Sequence, residues 1–242
     1  MQNISRYILK IFSVILLIWS NPHLVAAGGE EEKPQKLFYG FSVDFDLSDP
    51  FFSMINSNRF GLNASASVDI WHSLFPTIEI GYAQFDGASD YIYLPDLIKQ
   101  PDNYKYTVNG LYYKIGLDIN ILSKDYAEKV SPIAYMGVRY VFSPFHYKIE
   151  NLTMKDFYWN ESYSFNAEGS TMGRWVEFTG GVKTPIFRNI CMGVSVRFRQ
   201  FLSVKVKTED GKKIHNSYVP GFGDIKNDQW GFRYTISYFF PL

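Results

Sequence analysis

Residues 173–206 hold two long runs of alternating polarity joined by almost nothing, and few folds accommodate such a pattern. On one parity stand Val176, Phe178, Val182, Ile186, Ile190, Met192, Val194, Val196 and Phe198. On the other stand Trp175, Glu177, Thr179, Gly181, Lys183, Cys191, Gly193, Ser195, Arg197 and Arg199. A period of two marks strands with one apolar and one polar face, so the stretch reads as a β-hairpin. If both apolar sets share a face, paired positions have equal parity and the connection holds an odd number of residues. Phe187-Arg188-Asn189 supplies a three-residue loop, with Asn189 in its left-handed position. That register sets Glu177 opposite Arg199, an acid facing a base on the polar face.

The same alternation recurs along the chain. Leu37, Tyr39, Phe41, Val43 and Phe45 oppose Gly40, Ser42, Asp44 and Asp46; Phe60 to Ile70 opposes Gly61, Asn63, Ser65, Ser67 and Asp69. Further runs carry Ile78, Ile80 and Tyr82 against Glu79, then Leu111 to Ile121 against Lys114 and Asp118. Ala134 to Phe142 faces Arg139, and Trp230 to Phe240 faces Arg233. Between them, Ser48-Asp49-Pro50 reads as a helix start with Ser48 as cap. Residues 86–107, 143–172 and 207–228 read as long connections, and His72 to Pro76 as a short one.

About eight strands result, with connections that alternate long and short. That is the pattern of an outer-membrane barrel with short periplasmic turns and longer outer loops, and an even strand count puts both termini in the periplasm. Residues 1–27 have the charged, apolar and small-residue order of a secretory signal peptide, with Arg6 and Lys10 before the run Ile11 to Trp19 and Val25-Ala26-Ala27 after it. That run is about half of the ~20 residues a helix needs to span a bilayer. Residues 28–36 read as a charged periplasmic linker and 37–242 as the barrel. Aromatic residues make up 18% of the chain and formal charges cancel, so β-propensity is high and no basic surface for nucleic acid is implied.

A soluble lipocalin-like carrier is the competing architecture, with its apolar face turned inward around a greasy ligand. The composition of the faces favours the membrane: Gly, Ser, Thr and single charges suit a crowded lumen, and Tyr39, Tyr82, Tyr140, Trp230 and Tyr238 near run ends suit interfacial girdles. The expected fold is therefore an all-β, eight-stranded, antiparallel, up-and-down transmembrane β-barrel with a polar, side-chain-filled interior. Asp44, Lys114, Arg139, Glu177, Arg197, Arg199 and Arg233 are expected near mid-height as a structural network, since lone charges there are costly and paired ones tolerated. An eight-stranded lumen is just wide enough for its own side chains, which disfavours a solute channel.

From Trp175-Val176-Glu177-Phe178 through Met192-Gly193, Ser195-Val196-Arg197-Phe198-Arg199 and Pro220-Gly221-Phe222-Gly223 to Gly231-Phe232-Arg233-Tyr234 and Ile236-Ser237-Tyr238, the chain resembles an uncharacterised family of Bacteroidetes outer-membrane β-barrel proteins, a domain of unknown function. The resemblance implies an outer-membrane barrel and carries no activity, ligand or catalytic residue. The closing Pro241-Leu242 departs from the terminal Phe usual in outer-membrane recognition strands.

Other constellations have ordinary explanations. His215-Asn216-Ser217 echoes the His-x-Ser of lipid A deacylases but has no acid at a fixed distance, so a loop is the simpler reading than a hydrolase. Asp44-x-Asp46-x-Ser48-Asp49 lacks the Gly and terminal acid of a calcium loop. The lone Cys191 sits on the polar parity as a wall-filling residue, and the Asn151 and Asn160 sequons carry no weight. The expected function is a structural or surface-interaction role without catalysis, cofactor or metal. Its partners would be outer-membrane lipids and lipopolysaccharide, and the barrel-assembly machinery during insertion.

Overall fold

The computed structural model describes residues 36–55, 58–88, 92–93, 105–122, 130–156, 161–205, 215–216, 218–225 and 228–242. The expected leader and all but the last residue of the linker lie outside them. Eight strands form the wall: β1 (Phe38–Asp46), β2 (Arg59–Ile70), β3 (Leu74–Ala88), β4 (Lys105–Asn120), β5 (Ile133–Asp156), β6 (Glu161–Phe187), β7 (Ile190–Lys205) and β8 (Trp230–Pro241). Each pairs antiparallel with its neighbours in sequence, and β1 pairs with β8, which closes the barrel. Helix α1 (Ser48–Ile55) follows β1, as expected, but the Ser48 hydroxyl accepts the Tyr234 backbone N–H at 2.6 Å and so ties the helix to β8.

The β2–β3 turn, the β6–β7 turn and both ends of the wall lie at one end of the barrel, the short-turn end. At the β2–β3 turn Trp71 and His72 take left-handed φ values of 54° and 51°. Asp69 offsets that strain by accepting the His72 backbone N–H at 2.8 Å and bonding its ring at 2.6 Å. The β6–β7 hairpin has the register read from parity, Glu177 opposite Arg199. Its connection differs. Strand pairing continues to Phe187 opposite Ile190, the register shifts between Pro185 and Phe187, and the left-handed residue is Arg188 at φ 43°. One bulged residue supplies the odd count that a third loop residue was expected to supply.

The wall faces alternate as parity demands. Asp44, Glu79, Lys114, Glu177, Arg197 and Arg233 are buried inside, while Phe41, Phe45, Ile78, Ile115, Phe178, Val182, Phe232 and Phe240 are exposed outside. Those five Phe residues, each between 39% and 57% exposed, present on the order of 400–500 Å², because an aromatic side chain carries roughly 150–250 Å². That alone matches the largest apolar patch of an ordinary monomer, about 300–600 Å². Aromatic pairs mark both ends of the belt: Phe60–Tyr82, Tyr113–Phe142 and Phe198–Trp230 towards the long connections, Phe41–Phe240 and Tyr238–Phe240 towards the short turns.

One expected loop is largely strand instead: residues 143–156 and 161–172 belong to β5 and β6. Of the segment 86–107, residues 86–88 and 105–107 continue β3 and β4, while 89–91 and 94–104 lie outside the described residues. The reason is a parity switch. Up to Phe142, β5 points apolar side chains outward; beyond it Phe145, Tyr147 and Ile149 turn inward and His146, Lys148 and Glu150 outward. β4 switches likewise, with Tyr106 and Val108 inside and Lys105, Thr107 and Asn109 outside, and β3 buries Phe85 while Gln84 and Asp86 point out. A pattern followed only by its outward apolar residues stops where the strands do not. On the other side of the barrel the rim is lower, because β1 ends at Asp46 and β8 begins only at Trp230.

Candidate functional site

The lumen is built from inward residues that face one another across the barrel. At its centre Glu79 of β3 meets Lys114 at 2.9 Å, Arg233 at 3.0 Å, Arg197 at 3.6 Å and Arg139 at 3.9 Å, and also accepts a hydrogen bond from Asn63. Glu177 of β6 meets Lys114 at 3.0 Å and Arg197 at 3.3 Å. Asp46 of β1 takes Arg233 at 2.9 Å and Arg197 at 3.3 Å; Asp118 of β4 takes Arg139 at 2.8 Å. Nearer the short-turn end Lys183 donates to Asp44 at 2.9 Å. Five carboxylates and five cations thus cancel, which is the condition under which buried charges are tolerated.

Six of the seven residues expected in this network, Asp44, Lys114, Arg139, Glu177, Arg197 and Arg233, are buried in ion pairs, Asp44 away from mid-height with Lys183. Arg199 is different. Although it lies opposite Glu177 in the sheet, no ion pair joins them. Arg199 is half-buried, and its Nη1 donates to the carbonyl oxygens of Phe222 and Asp228. Cross-strand position fixes where Cα atoms lie, but a long guanidinium follows the nearest acceptors. The hub Glu79, its bond partner Asn63, and Asp46, Asp118 and Lys183 were absent from the expected set. All lie on the polar parity, so the signal was present; what selects them is closure of the barrel.

Above the charges sits an apolar layer: Phe85, Tyr106, Val108, Val141, Phe145, Tyr147, Ile149 and Trp175. Segment 218–225 folds down onto it. Phe222 packs edge-on against Trp175 and Phe201, both with centroids 5.4 Å away, and Ser143 donates to the Pro220 carbonyl at 3.0 Å. Gly221 and Gly223 make this possible with φ of 82° and 96°, and a Cβ on Gly221 would strike the Tyr112 ring. The lumen is therefore filled at its centre and covered from the long-connection end.

Two cavities among the described residues share no lining residue. A pit of about 60 Å³ at the short-turn end touches Asp44, Asp69, His72, Asp118 and the buried Cys191. A cleft of about 320 Å³ opens at the low rim between α1, β2 and β8. In it Tyr112 donates to Asp49 at 3.5 Å, and Arg59 meets Asp228 at 3.6 Å. Burial pushes the Asp49 carboxyl above its ordinary range. Asp46 of the calcium-like spacing accepts the Ser48 N–H at 2.9 Å, and among the described residues no group of three or more His, Cys, Asp or Glu is placed to hold a metal. His215 and Asn216 pair with Tyr93 and Ile92, and Ser217 lies outside the described residues, as does Asn160.

Residues 4–242 match the family model described as a domain of unknown function (DUF6048), so the chain belongs to that family. No curated protein matches it in sequence. Solved structures similar to it include Acinetobacter baumannii CarO2, at 12% identity and a TM-score of 0.37 over 86% of this chain and 100% of the other. Ail, the attachment invasion locus protein of Yersinia pestis, follows at 11% identity and a TM-score of 0.30 over 84% of this chain and 95% of that one.

Proposed function

We propose that this DUF6048 chain is an outer-membrane β-barrel with a structural or surface-interaction role, non-catalytic and closed to solutes. The observation that carries the reading is the inversion of both faces at one level of the wall. Below the switch in β3, β4 and β5 the outside is apolar and the inside carries the charges; above it the outside is polar or charged and the inside apolar. A wall immersed in hydrocarbon up to that level and in water above it requires this pattern. A soluble lipocalin-like carrier would need its apolar face inside along the whole wall. The belt also has the right height. Trp230 and Phe240 are ten residues apart on β8, roughly 34 Å of strand, which a tilt of about 45° projects to ~24 Å against a lipid-facing band of ~25 Å.

The leader at 1–27 would direct export, the assembly machinery would insert the barrel, and outer-membrane lipids and lipopolysaccharide would surround the belt. Both termini would then face the periplasm and the raised β3–β6 wall the exterior. The inward charges neutralise one another, which supports a structural use for them. Cell fractionation with heat-modifiable gel migration tests the reading: the protein is expected in outer-membrane fractions, with a folded band that shifts on boiling. Recovery of the mature chain from the soluble periplasm would refute it.

A further inference from the structure

The barrel has a notch in its membrane-facing wall. Past the Asp46–Thr235 and Phe45–Ala64 pairs β1 gives out, so among the described residues the upper edges of β8 and β2 have no strand between them. Helix α1 lies in this gap, where Gly61 N–H donates to the Ser53 hydroxyl at 3.1 Å. Beside it, lined by Asp49, Phe52 and Ser53 of the helix, is the 320 Å³ cleft, within the range of small-molecule sites, about 300–1,000 Å³. Its mouth is Phe52, Phe60, Trp230 and Phe232, all exposed and continuous with the apolar belt. On its floor is Arg199.

Every inward cation of the central network has a carboxylate partner. Among the described residues Arg199 donates to carbonyls only; its Nε, like those of Arg139, Arg197 and Arg233, is a buried donor without a hydrogen-bond partner there. The acids that line the cleft are engaged: Asp46 by Arg197 and Arg233, Asp228 by Arg59 and the Asp224 N–H, and Asp49 by Tyr112. A half-buried guanidinium presents a planar fork suited to phosphate oxygens, and a doorway of aromatic rings suits acyl chains. A ligand that satisfies both is an amphiphile with an anionic head.

We propose that the notch holds one anionic, phosphate-bearing lipid of the surrounding membrane, its phosphate on Arg199 and its acyl chains leaving over Phe60 and Phe232. This rests on the membrane reading above. The test is native mass spectrometry of the mature chain released from nanodiscs of mixed phosphatidylglycerol and digalactosyldiacylglycerol, a neutral two-chain lipid without phosphate. One retained phosphatidylglycerol per barrel is expected, favoured about tenfold, which one hydrogen bond to a charged group supplies. Arg199→Gln should abolish the preference and Arg199→Lys keep part of it. Phe52→Glu puts a like charge at the mouth on a helix outside the wall, and should also abolish it if Arg199→Gln does not fold. Equal retention of both lipids by the wild type, or an unchanged preference in Phe52→Glu, overturns the proposal. So does displacement by millimolar inorganic phosphate, since a phosphate-only site needs no acyl chain. A protein that never enters nanodiscs instead overturns the membrane reading.

Discussion

Replacing Glu79 with Gln should be among the most damaging isosteric changes in the lumen. Its carboxylate lies within 4 Å of four cations, Lys114, Arg139, Arg197 and Arg233, and its side chain is inaccessible to solvent. Gln keeps the volume and removes the charge, so the balance of five carboxylates against five cations becomes a net positive charge in a site buried from solvent. Breaking a buried pair in this way costs about 3–5 kcal/mol, a large share of the ~5–15 kcal/mol that holds a typical protein together. Adding Lys114→Met restores neutrality and replaces an ammonium that is 1% exposed with an apolar chain of similar length. The double variant should therefore be more stable than Glu79→Gln alone, with a coupling energy of about 1–3 kcal/mol. Urea unfolding in lipid vesicles, followed by the heat-modifiable band, measures all four corners of the cycle. If Glu79→Gln lies within about 0.5 kcal/mol of the wild type, or the two changes add, the charges are not buried together and the reasoning fails.

Ile78 is 63% exposed on the outer face, mid-belt opposite Ile115. Ile78→Arg should cost roughly 2–4 kcal/mol in a bilayer, while Ser195→Ala on the inner face should be mild; equal tolerance would reverse the faces. Glycines give a second contrast. A Cβ on Gly81 would overlap the Tyr112 ring that bonds Asn63 and Asp49, whereas a Cβ on Gly180 meets nothing within 4 Å. Gly81→Ala should lose about 1–3 kcal/mol by overpacking and Gly180→Ala almost none, read from the same urea transitions; equal losses would remove Tyr112 from the lumen.

Strand parity was legible because it is local: neighbours two residues apart share a face wherever the strand runs, so the inward set and the β6–β7 register could be read from composition. The height of the wall was hidden by one assumption, that apolar residues always point outward. The switch is nevertheless written in the chain, where apolar parity passes from Tyr140 and Phe142 to Phe145 and Tyr147 on β5, and from Tyr106 and Val108 to Leu111 and Tyr113 on β4. On the membrane reading proposed above, a strand that keeps its period while its apolar residues change parity has changed solvent, and the change falls at the level of the Tyr113–Phe142 pair. The partners inside the lumen are another matter. Glu79 and Arg233 are 154 residues apart, and Asp46 and Arg197 are 151 apart. What brings them together is strand tilt and stagger, which closure imposes on the whole ring and no local pattern encodes. Arg199 marks the limit of that inference from the other side. Its backbone register is local and was read, whereas the segment that captures its guanidinium folds in from the β7–β8 connection. An inward cation that donates only to carbonyls among the described residues is therefore visible only once the barrel is closed.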